Sequence, residues 1–137
     1  MNDQGDQLDL AWKLLEDEGA ERALEAAAGL DESNVETWVL RATAQIDLTQ
    51  LDEAAASCAR AETLGGHEHL GVQWARGEIA LASWQIDEAS RCYETILAQA
   101  QDEGAALERL ALVRELQRRY EDADELLERD GRHWRRM

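Results

Sequence analysis

Residues 35–61, VETWVLRATAQIDLTQLDEAAASCARA, decide the fold. Trp38, Val39, Leu40, Ala42 and Ile46 recur at three- and four-residue steps, and beyond a polar turn Leu51, Ala54, Ala55, Cys58 and Ala61 do the same. That is the apolar pattern of two consecutive helices. The pattern then returns: in residues 70–96, LGVQWARGEIALASWQIDEASRCYETI, Trp74, Ala75, Ile79, Ala80 and Leu81 precede Ile86, Ala89, Tyr93 and Ile96.

The same register extends outward in both directions. Ala23, Ala54, Ala89 and Ala123 are spaced by 31, 35 and 34 residues, and so are Ala11, Ala42, Gly77 and Ala111. Ala27, Cys58, Tyr93 and Leu127 form a third column, and Ala20, Leu51, Ile86 and Tyr120 a fourth. Self-similarity at such a period marks a repeat architecture. The expected organisation is one domain over residues 1–130, with helical pairs at about 4–33, 35–66, 69–101 and 103–130, followed by a basic segment at 131–137. In the first pair Leu8, Leu10, Ala11, Trp12, Leu14 and Leu15 carry helical spacing, with Leu10, Ala11 and Leu14 as the packing stripe. Its second helix follows Gly19 and loses most of a turn to the three missing residues. The fourth pair, predicted at 103–118 and 121–129, mixes leucines with Arg109, Glu115 and Arg118 and reads as a cap. Gly19 and Gly65-Gly66 are helix stops, Asp31-Glu32-Ser33-Asn34 is a capping turn, and Asp52 and Asp87 suit positive helix N-termini.

Units of this length resemble the tetratricopeptide repeat, W-x2-L-G-x2-Y…A-x3-F…P. Trp38, Ala42, Ala54 and Cys58, followed by Ala61, carry the resemblance in the second unit; Gly77, Ala89, Tyr93 and Ile96 carry it in the third. It covers about residues 6–130, with no repeat-closing proline and with Arg41 and Arg76 where the family has leucine. The resemblance implies an all-α fold, a right-handed α-solenoid of four helical hairpins. Helix axes approach to about 8–10 Å only over modest side chains, which assigns repeat packing to Ala11, Ala23, Ala42, Ala54, Gly77, Ala89, Ala111 and Ala123. One hairpin cannot bury its apolar face alone, so the stack is the stable unit.

In that family the first helices line a concave groove. The resemblance places there an offset stripe of Leu8, Trp12 and Leu15, then Val39, Thr43 and Ile46, then Trp74, Glu78 and Leu81, with acids at Glu16, Glu36, Asp47 and Glu78 itself. A groove with aromatic anchors and an acidic rim suits a protein or peptide segment that is apolar with basic flanks. The implied role is a non-enzymatic adaptor or assembly scaffold. Small acidic proteins resembling this one serve as bacterial chaperones that hold an apolar segment of a secreted client, and a regulatory domain of a larger enzyme is a third possibility. Relatives that grip a chaperone's terminal carboxylate use clustered Lys, Arg and Asn; Lys13 is the only lysine here and Asn2 and Asn34 the only asparagines.

Composition narrows the rest. The 137 residues include 45% hydrophobic and 32% charged, enough for a packed core, while the lack of proline and only 9 glycines argue against a turn-rich β fold. A net charge of -16 repels nucleic acid and anionic membranes. The N-terminus has no basic-then-apolar signal, and two cysteines make no disulfide scaffold, so the cytoplasm is the expected compartment. No nucleophile, phosphate-loop or paired-carboxylate signature stands out, and no cofactor is expected. His67-Glu68-His69 reads as a polar lead-in to the third unit rather than a metal site. Cys58 and Cys92 fall at or next to a packing column as small buried hydrophobes. Trp84 falls in a hairpin turn, and Gly131-Arg132-His133-Trp134-Arg135-Arg136-Met137 is basic and aromatic; the indole is a candidate contact point, and the segment a candidate means of self-association through an acidic surface.

Overall fold

The computed structural model describes residues 3–129. All regular structure in this span is helical: α1 (Asp3–Asp17), α2 (Ala20–Ala27), α3 (Val35–Asp47), α4 (Leu51–Thr63), α5 (Leu70–Ala82), α6 (Ile86–Gln99), α7 (Gly104–Leu116) and α8 (Tyr120–Arg129). They divide into two compact units, Met1–Ala75 and Arg76–Met137, and the division falls within α5.

In the first unit each helix packs on the next from α1 to α4, and α1 also touches α3. Alanines make the close approaches. Ala11 and Ala27 meet Leu30 and Leu40 in one core cluster; Ala20, Ala23 and Ala44 form a second; Val39, Ala61 and Val72 form a third. Leu10 departs from the expected packing stripe: it is 56% exposed.

The α1–α2 turn uses Gly19 at φ 106, a backbone angle that disfavours a side chain. α3 begins as its turn predicts, with the Asn34 side chain accepting from the Glu36 amide at 3.0 Å. α2 is 8 residues long against 13 in α4, as its shortened repeat requires. Arg41 explains its own departure from the family pattern here. Its Nη2 donates to the Ala27 carbonyl at 2.9 Å, a cation on the last residue of the short helix. The same guanidinium lies 4.5 Å from the Trp38 ring centroid and reaches Glu32 at 3.4 Å.

In the second unit α6 packs on α7 and α7 on α8. Gly77 permits the approach of α5 to α6: a Cβ there would stand 2.8 Å from the Tyr93 ring, which is wholly buried. Arg114, only 8% exposed, donates to Ser90 Oγ at 2.7 Å, Gln117 Oε1 at 2.8 Å and Glu94 Oε1 at 2.5 Å. Hydrogen bonds from Ser90 and Arg114 hold the Glu94 carboxyl below its ordinary range.

Three hairpin turns share one device. Thr49, Trp84 and Arg118 adopt φ 58, 60 and 62. The residue after each bonds back across the turn, as Gln50 N does to Gln45 O and Gln85 N to Ala80 O, both at 2.8 Å. This is the Schellman helix ending, which ordinarily takes glycine at the left-handed position. It stops α7 at Leu116, two residues before the predicted end.

Candidate functional site

On α1 of the first unit, Leu8, Trp12 and Leu15 are half-buried and Glu16 is exposed. Trp12 packs against two core clusters at once, around Ala11 and around Val39. On α3 the stripe changes character. Val39, expected at an open groove wall, is 4% exposed and belongs to the core with Ala61 and Val72. The correction has a simple cause: α5 closes over it, and a Cβ at Gly71 would lie 2.7 Å from Val39 Cγ1. Thr43 is half-buried and donates its hydroxyl to the Val39 carbonyl at 2.8 Å. Ile46 is half-buried and Asp47 exposed, and Trp74 on α5 is half-buried.

The acidic edge is partly engaged. Glu36 Oε1 lies 2.6 Å from His69 Nε2, while His69 Nδ1 accepts from the Gly71 amide at 3.0 Å. His69 thereby ties the start of α5 to α3 with both ring nitrogens. Exposed His67 holds the side chain of Gln73 through its carbonyl at 2.5 Å. Among the described residues no group of three His, Cys, Asp or Glu side chains is arranged to hold a metal. Cys58 and Cys92 are buried.

In the second unit Glu78 and Leu81 continue the stripe along α5. Glu78 accepts from Arg109 Nε on α7 at 2.7 Å, and its side chain is 17% exposed. That hydrogen bond raises the Arg109 pKa, and burial beside Glu78 pushes the Tyr93 hydroxyl far up. Glu78 is therefore a member of the stripe engaged by an arginine. Repeat spacing alone extends two of the columns into α7. The column Trp12, Thr43, Glu78 continues at Leu112, and Glu16, Asp47, Ala82 at Leu116. These two α7 leucines are 39% and 41% exposed. The repeat spacing already held this signal; treating the fourth unit as a cap concealed it.

The packing columns lie inside. Ala11, Ala23, Ala42, Ala54, Ala89 and Ala123 are fully buried, Ala111 is 1% exposed, and Gly77 is buried. Trp84 is 75% exposed. The basic segment 131–137 lies outside the described residues. Among the described residues no helix is long and apolar enough to cross a membrane.

No family model matches the sequence, and no curated protein does. Solved structures share the fold. A crystal structure of MamA aligns with a TM-score of 0.76 at 16% identity, covering 98% of this chain and 80% of its own. A second MamA crystal structure gives 0.75 at 17% identity, covering 94% and 72%. MamA from Desulfovibrio magneticus RS-1, from residue 41 to its end, gives 0.74 at 19% identity, covering 95% and 75%. The fold is thus all-α, of the tetratricopeptide-like α-solenoid class.

Proposed function

We propose that this chain is a non-enzymatic protein-binding module, an adaptor or assembly scaffold of the tetratricopeptide type acting in the cytoplasm. The observation that carries the reading is the stripe on α1 and α3 of the first unit: half-buried Leu8, Trp12, Leu15 and Ile46 beside exposed Glu16 and Asp47. Half-buried apolar anchors beside exposed carboxylates favour a partner segment that is apolar with Lys or Arg flanks. An open stack of helical hairpins is a fold suited to holding another chain, and the -16 charge disfavours nucleic acid and anionic membranes as partners. Self-association through the basic segment 131–137 belongs to the same reading.

Charge reversal tests it without disturbing the core. Glu16→Lys with Asp47→Lys changes exposed positions only. Capture from the native cell is expected to recover a defined protein with the wild type and to lose it with the double variant. Recovery of the same proteins by both rejects this surface. An unfolded export client among the recovered proteins assigns the chaperone alternative; a folded assembly assigns the scaffold.

A further inference from the structure

Leu10 precedes Ala11, so the repeat spacing puts it in one column with Arg41, Arg76 and Leu110. What this column faces is visible elsewhere in the fold. Arg41 reaches back to the Ala27 carbonyl of the preceding helix, and Leu110 is only 4% exposed. It is a helix-packing column, yet in α1 it is uncovered, with Leu10 56% exposed. Asp6 and Asp17, four residues before and seven after, share this helical face. Both are exposed and neither is in an ion pair among the described residues; Lys13 is the only base on α1. Leu8, Trp12 and Leu15 lie on the opposite side of α1, so this surface is separate from the proposed groove.

An uncovered leucine between unpaired carboxylates suits an apolar, cationic occupant. The last described helix of another copy does not fit, because α8 exposes Glu125 and Glu128 and would oppose like charges. The segment 131–137 fits: it supplies Arg132, Arg135 and Arg136 for the carboxylates and Trp134 for the leucine. Longer-range attraction acts in the same sense, since residues 1–75 carry 16 acids against 4 bases.

We infer that the segment 131–137 of one copy docks on the Leu10 face of α1 of a second copy, joining copies head to tail. The inference rests on self-association through this segment and names its receiving face.

Sedimentation of the full chain tests both. The wild type is expected to associate with rising concentration, and less so in about 1 M than in about 0.1 M salt, because the Debye length shrinks from about 10 to about 3 Å. Arg132→Glu/Arg135→Glu/Arg136→Glu, and separately Asp6→Arg/Asp17→Arg, are each expected to weaken association at least roughly tenfold with unchanged circular dichroism. Mixing the two variants presents a complementary pair at every junction and is expected to restore association. A monomeric wild type, or a segment variant that associates as the wild type does, overturns self-association through 131–137. Loss with the segment variant but not with the α1 variant, or a mixture that stays monomeric, overturns the α1 face alone. Partner capture through Glu16 and Asp47 reports on the groove independently of either result.

Discussion

Trp84 breaks two local rules at once. It holds a left-handed backbone angle and leaves 75% of its surface in solvent. A left-handed residue with a Cβ costs on the order of 1 kcal/mol, and the exposed indole recovers little of that by burial. Trp84→Gly is therefore expected to stabilise the fold by ~0.5–1 kcal/mol, read as a higher urea midpoint at constant slope. A lower midpoint would show that the indole packs over its own turn. Arg41 makes the opposite case. Truncating it removes a bond to the end of α2 and the stacking on Trp38, so Arg41→Ala is expected to cost about 1–3 kcal/mol in the same measurement. Glu94 gives a pH signature. Its carboxyl is held below the ordinary range by Ser90 and Arg114. The stability this supplies is present above the ordinary glutamate range and is lost as the pH falls through the lowered value. Glu94→Gln is expected to flatten that acid limb, in unfolding followed from about pH 7 down to about pH 3.

At the scale of elements, helix order and the ends marked by Gly19, Gly65 and Asn34 were legible from periodicity and turn chemistry. The end of α7 was not. Arg118 looks like a helix residue, and only its backbone angle reveals that it occupies the turn. The site was less legible than the fold. Period locates a side chain on a helix face but does not say which neighbour closes over that face. Hence Val39 was expected in the open and is buried by α5, Leu10 was expected inside and is exposed, and Glu78, expected in the acidic groove stripe, is held by Arg109. Gly77 measures the tightness of the α5–α6 contact. Gly77→Ala drives a methyl into the Tyr93 ring and is expected to destabilise by about 1–3 kcal/mol despite alanine's better helix propensity. A neutral or stabilising result in thermal unfolding would mean that the two helices separate freely.

At the scale of the whole molecule, one period produces both a set of buried alanine columns and a set of half-buried stripe columns. The first holds hairpins together; the second, with an acidic edge, is the surface proposed for a partner. Net charge reinforces the division, since a field of this sign attracts basic segments and screens out polyanions. The most direct test is site-specific photo-crosslinking in the native cell, with a benzophenone side chain placed at Thr43, in the stripe, or at Ala59, exposed on α4. The account predicts a discrete crosslinked protein from position 43 and none from 59. Equal crosslinking from both, or crosslinking from 59 alone, would contradict it.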